Sequence, residues 1–196
     1  MEKTKPVRRI ITAQDEHENP IVLADAPASR IVTDPARPGY SSATIWVTDR
    51  TPAKIKGIRE TLDLDRSIEP PAGGSACRIV TFPPDASFMK GIGAKEVQTF
   101  FKSMGSPGAS TYSAGSHPYR QKTVTLDFCI VLEGEITLIL DKGEVNLKKG
   151  DIVVQRGTMH AWVNNGPGPC VFAFILIDAK PAVAGGKELL THYPTH

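Results

Sequence analysis

The sequence lacks the marks of several large protein classes. No run of apolar residues approaches the roughly 20 that a membrane-spanning helix needs. The charged start, Met1 to Arg9, has no apolar stretch behind it of the kind a secretory signal carries. No membrane partner is expected, and the expected location is cytoplasmic. Cysteine is scarce: Cys77, Cys129 and Cys170 make an odd number with no Cys-x-x-Cys pair, and each sits in an apolar run. Buried, reduced thiols are expected. An excess of charge is also missing, because 23 Lys+Arg against 21 Asp+Glu leaves +2. The balance is even along the chain, with no basic arm or stripe to present to nucleic acid. There is no helix-turn-helix segment, internal repeat, low-complexity tract or dividing linker.

What the chain does have is punctuation and apolar mass. Its 196 residues are 40% hydrophobic and include 17 Gly and 16 Pro, about one residue in six. That is too interrupted for a helical bundle and suits short strands joined by turns. Val7 to Thr12 and Pro20 to Ala24, separated by a polar turn, predict a hairpin. Further strands are expected over 44–48 and 77–82, the second stopped by Pro83-Pro84. Asp49 to Gly74 is charged and Pro/Gly-marked, and predicts a surface connection. One helix is expected over 95–104, where Val97, Phe100, Phe101 and Met104 fall on one face and Gly105 stands ready to end it. From Val124 onward the pattern is almost continuous strand: 124–132, 135–140, 144–147, 152–154, 161–163 and 171–177. The fold class predicted is all-β, a double-sheet jelly roll or small barrel. A single domain over 1–196 is expected: N-terminal strands and covering segment over 1–110, barrel core over 111–180, and C-terminal tail over 181–196.

Two glycine-anchored spacings stand out in the strand-rich half. The first is Gly115-x5-Gln121-x-Thr123-x3-Asp127-x6-Gly134, and the second is Gly150-x4-Gln155-x-Gly157-x2-His160-x3-Asn164. Together with the phrases VLEGEITLIL, KKGDIVVQRGTMHAWVN and FAFILID, they resemble the cupin superfamily over about Gly115 to Asp178. The resemblance implies a jelly-roll barrel with Gly115, Gly134, Gly150 and Gly157 at its corners. It also implies a homodimer, paired through N-terminal strands. The family's metal slots hold two His and a Glu in the first motif and one His in the second. Here Gln121 and Thr123 occupy the two His slots, Asp127 the Glu slot, and His160 keeps the last.

Strand alternation puts Gln121, Thr123, Thr125, Asp127 and Cys129 on one face, and His160 with Trp162 on another. In the family these faces meet inside the barrel, where a carboxylate and an imidazole supply each other with a partner. Imidazole and carboxylate are good metal ligands, whereas a Gln amide oxygen is weak and a Thr hydroxyl weaker. The residue types therefore favour a metal-free site. The metal-bound alternative is built from His160 and Asp127 with either His117 or Gln121. Asp127 and His160 are the candidate catalytic acid and base. Gln121, Thr123, Trp162, Tyr119, Arg78 and Arg156 are candidates for binding substrate, with either Arg able to hold a carboxylate. The function expected is a small-molecule enzyme, a metal-independent lyase or isomerase. Its reaction would be decarboxylation, dehydration or enolisation of a carbonyl or polyketide-like compound. A metal-dependent dioxygenase or isomerase and a non-catalytic ligand-binding protein are the alternatives.

Overall fold

Period-two burial runs through the longest strands and decides which way they face. In Thr125–Glu133, residues 125, 127, 129 and 131 are buried while Phe128 and Leu132 are exposed. The computed structural model describes residues 6–55, 67–105 and 116–190. In chain order its strands are β1 (Arg8–Gln14), β2 (Pro20–Pro27), β3 (Ile31–Thr33), β4 (Ser41–Thr48) and β5 (Ser75–Phe82). After helix α1 (Ala94–Ser103) come β6 (Thr125–Glu133), β7 (Glu135–Leu140), β8 (Gly143–Lys148), β9 (Ile152–Arg156) and β10 (Ala161–Val163). Strands β11 (Cys170–Asp178), β12 (Ala182–Ala184) and β13 (Lys187–Leu189) complete the series. A six-stranded sheet runs β3-β4-β5-β11-β6-β9 and a three-stranded sheet runs β10-β7-β8, with every pairing antiparallel. The fold is an all-β jelly-roll barrel.

Two apolar clusters hold it. One joins the sheets through Cys129 and Val131 of β6, Ile136 and Leu138 of β7, Leu147 of β8, Trp162 of β10 and Cys170 and Phe172 of β11. The other seats the helix: Val97, Phe100, Phe101 and Met104 pack with Tyr40, Val80, Phe88 and Tyr119. The helical spacing read from the sequence is thus the buried face. Glu96 accepts from the Gly93 N–H at 3.0 Å to start the helix, and Gly105 at φ 80° follows its end. Phe82 and Phe174 border both clusters, and the cavity described below opens between them.

Several expectations are adjusted. Strand β3 and the β12–β13 hairpin were not anticipated, and the hairpin lies in what the sequence suggested as a plain tail. Cys129 and Cys170 are fully buried, but Cys77 is only half-buried, because β5 turns its odd residues outward. Gly115 and residues 56–66 of the expected surface connection lie outside the described residues. Gly134 is a true corner: φ is 76°, and a Cβ there would stand 2.6 Å from the Pro169 carbonyl oxygen. Among the described residues no helix is long and apolar enough to cross a membrane.

Candidate active site

Strands β5, β6, β10 and β11 turn side chains into one cavity with about 90 Å³ of free space. Gln121, Thr123, Asp127, His160 and Trp162 all line it, as do Arg78 and Tyr119. The strand parity read from the sequence therefore holds across a break: β6 starts only at Thr125, while Gln121 and His160 pair through their own backbone N–H and C=O groups. Apolar walls come from Phe82, Phe100, Phe174, Val80 and Leu176.

Asp127 is buried at 4% exposure, and its Oδ1 has no hydrogen-bond partner among the described residues. Loss of water raises its pKa to about 6, against the Thr125 hydroxyl beside it, which favours the carboxylate, and with a smaller push from Glu69. Thr123 and Thr125 share a hydroxyl hydrogen bond at 2.7 Å on the same face as Asp127.

His160 is 4% exposed, and burial lowers its pKa, with the nearby Arg120 cation lowering it further; the Thr158 carbonyl opposes this. That carbonyl lies 2.9 Å from Nδ1 and accepts, while the Gln155 amide nitrogen at the same distance donates, so the two partners match opposite tautomers of the ring. The lowered pKa leaves the imidazole neutral near pH 7. Gln155 packs against the same Nδ1 at 2.9 Å, and its amide donates to the Thr158 carbonyl at 3.0 Å. Trp162 meets the imidazole edge-on, with ring centres 5.5 Å apart. The direct Asp127–His160 hydrogen bond that the sequence suggested does not form. Gln155 and Thr158 hold the imidazole, and Thr125 attends the carboxylate.

Two candidates fall outside the cavity. His117 Nε2 is 2.9 Å from Asp85 Oδ2, and its Nδ1 accepts from the Tyr119 N–H at 3.3 Å, so both nitrogens are engaged away from the cavity. Arg156 is exposed on β9, because its neighbour Gln155 takes the inward position opposite Asp127. Arg78 does face the cavity, and its guanidinium donates to the Ser67 carbonyl. Tyr119 also faces the cavity. It is 8% exposed and gives its hydroxyl to Asp34 Oδ2 at 3.2 Å.

Sequence reasoning missed Arg37, Tyr40 and Asp34, and gave no role to Gln155. Arg37 lines the cavity with its guanidinium carbon 3.6 Å from the Tyr119 ring centre, 4.0 Å from Tyr40 and 4.1 Å from Phe100. Its Nε donates to Asp34 Oδ2 at 2.7 Å. The spacing Asp34-x2-Arg37 was the available signal, but it sits in a Pro/Gly-rich stretch that reads as loop.

The fold family implies a divalent metal, and the donor set does not fit one. The cavity offers one imidazole and one carboxylate, Gln121 and Thr123 are weak donors, and the reserve ligand His117 is committed to Asp85. Among the described residues no group of three His, Cys, Asp or Glu is placed to hold an ion.

The fold and the site define a jelly-roll barrel enclosing a desolvated carboxylate and a neutral imidazole in an aromatic cavity. Comparison with known sequences agrees: residues 107–177 match the family model described as a cupin domain. Phomopsin biosynthesis cluster protein C' of Diaporthe leptostromiformis is 32% identical over 172 residues, covering 82% of this chain and 84% of that one. Oryzines biosynthesis cluster protein J of Aspergillus oryzae is 46% identical over 82 residues, which is 40% of this chain and 45% of that protein, so the match spans under half of that relative. The cupin-domain-containing oxidoreductase virC of Hypocrea virens is 32% identical over 153 residues, 74% of this chain and 63% of that protein. The chain belongs to the cupin superfamily.

Proposed function

We propose that this cupin is a small-molecule enzyme, an acid–base lyase or isomerase whose shared step is transfer of a proton at carbon next to a carbonyl. The observation that carries the reading is the orphaned Oδ1 of Asp127, a buried carboxylate oxygen without a donor in a cavity that also presents a neutral imidazole. Near neutral pH Asp127 is largely ionised and acts as the base. It takes the proton from carbon, the C–H electrons pass into the enolate, and the resulting acid returns the proton to another atom of the same substrate. His160 shares a hydrogen bond with a substrate hydroxyl and fixes its orientation. The names of two relatives place them in biosynthesis clusters, which supports a small-molecule substrate. The cavity suits a compact, partly aromatic one.

The test is deuterium incorporation from D2O, followed by NMR, into a panel of aryl ketones and unsaturated carbonyl acids. Asp127→Asn and His160→Ala are each expected to lose on the order of 10²-fold or more. Exchange at the wild-type rate in both variants sinks the reading. A second reading, oxidation chemistry, draws on the oxidoreductase names of relatives such as virC. Oxygen uptake that depends on substrate and on His160 would favour it.

For assembly we propose a homodimer. The outer face of β6 and its edge neighbour β9 exposes Phe128, Leu132, Ile152 and Val154, an apolar sheet face that a second copy covers. Sedimentation is expected to give twice the 21.2 kDa of one chain. A monomer at micromolar concentration refutes this.

A further inference from the structure

Arg37 is placed unlike a structural arginine. It lies in the Pro/Gly-rich segment between β3 and β4, yet is only 4% exposed. The rings of Tyr40, Phe100 and Tyr119 stand within 4.1 Å of its guanidinium carbon. The guanidinium carbon thus lies over three ring faces, which accept no conventional hydrogen bond, so its N–H groups must find partners elsewhere. One edge position is spent: Nε donates to Asp34 Oδ2. Asp34 is itself crowded, since Oδ1 accepts from the Ala36 N–H at 3.0 Å and Oδ2 also takes the Tyr119 hydroxyl. Among the described residues Nη2 has no hydrogen-bond acceptor. Buried donors are nearly always satisfied, so an exception on a cavity-lining residue needs a reason.

The same cavity contains the orphaned acceptor Asp127 Oδ1. Arg37 and Asp127, which carry the unmet cationic donor and the unmet carboxylate oxygen, line one aromatic-walled space and are complementary to a ligand with an anionic oxygen and an acidic proton. We propose that Arg37 is the specificity residue of this cavity. It anchors the carboxylate of an aromatic or unsaturated carboxylic acid whose reacting carbon then lies toward Asp127 and His160. A planar monoanion is favoured over a phosphate because Asp34 already offsets the Arg37 charge. Asp34 is the positioning residue, fixing the guanidinium through Nε and tying Tyr119 into the same wall. This inference rests on the reading of the cavity as the substrate site.

The experiment measures binding of benzoate and of its uncharged analogue benzamide to the full chain by isothermal titration. Wild type is expected to prefer benzoate by about tenfold or more, the range of a charge-assisted hydrogen bond. Arg37→Gln is expected to bring the two ligands within about twofold. Because that variant strands Asp34, Asp34→Asn combined with Arg37→Gln restores a neutral pair and should show the same loss. Three results overturn the anchor: no benzoate binding by wild type, equal binding of benzamide, or a preference that survives Arg37→Gln and is lost instead in Arg78→Gln. The two readings fail separately. Proton exchange without a carboxylate preference removes the role of Arg37 alone, and a carboxylate preference without exchange removes the acid–base chemistry alone.

Discussion

Replacing Asp127 with Asn should make the protein more stable at neutral pH. In the folded chain the carboxyl titrates at about 6 instead of the ordinary 3.8, chiefly because burial takes water from the ionised form. A group whose pKa is raised on folding helps the folded state while protonated, below its unfolded pKa. That contribution is lost as pH rises through the folded value. The difference, at about 1.4 kcal/mol per pH unit, is worth about 3 kcal/mol above pH 7. At pH 4 it has shrunk to about 0.5 kcal/mol. Asparagine has nearly the same shape and never ionises, so it escapes the penalty. Urea unfolding of wild type and Asp127→Asn at both pH values checks this directly. The variant should gain about 2–3 kcal/mol at pH 7.5 and little at pH 4, a large share of a total stability of about 5–15 kcal/mol. If the variant is no more stable at pH 7.5, or its gain is the same at both pH values, the carboxylate is not desolvated and the argument for a tuned base falls with it.

The pH profile of proton exchange should rise to a plateau with a midpoint near 6, set by Asp127, with no falling limb from His160, whose pKa is lowered; Asp127→Asn should abolish the inflection. Chelators should leave the exchange rate unchanged, since Gln121 and Thr123 are weak donors; a rate that falls with chelation and returns with iron, manganese or zinc refutes the metal-free chemistry. Asn164→Ala removes a 1%-exposed side chain that donates to Phe82 and Gly168 carbonyls and accepts from the Gly166 N–H. It should cost about 3 kcal/mol in urea unfolding. Gly134→Ala at φ 76°, facing a carbonyl oxygen at 2.6 Å, should cost about 2–4 kcal/mol, read as a fall in Tm.

What the sequence disclosed of the site follows from how local each signal is. Gln121, Thr123, Asp127, His160 and Trp162 line one cavity because strand parity and turn spacing are properties of a few neighbouring residues. The same parity, applied to β9, would have sent Arg156 outward: Gln155 faces in opposite Asp127, so the next residue cannot. Alternation along β5 likewise puts Arg78 inward with Ala76 and Val80. Arg37 carries no such periodicity. Its burial depends on Phe100 of α1 and on Tyr119, whose hydroxyl reaches Asp34 across 85 residues of chain, and no window of sequence contains that contact. His117 failed as a ligand for a related reason: its distant partner Asp85 belongs to a 3-10 turn that parity does not address.

The two sides of the cavity explain each other. A divalent cation at the cupin ligand slots would hold the carboxylate ionised and push its pKa down. With Gln121 and Thr123 in two of those slots, no fixed positive charge from the ligand set offsets the loss of water at Asp127. Desolvation prevails and the pKa climbs toward the range where a carboxylate exchanges protons at neutral pH. A metal would also have supplied the electrophile that grips a substrate oxygen. In its place the same cavity has Arg37, cationic at any working pH, stripped of water by three rings and with Nη2 uncommitted. On the proposed function, the weak ligand slots and the caged arginine form one exchange, in which charge for binding the anion moves from an ion onto a side chain and Asp127 serves as the base.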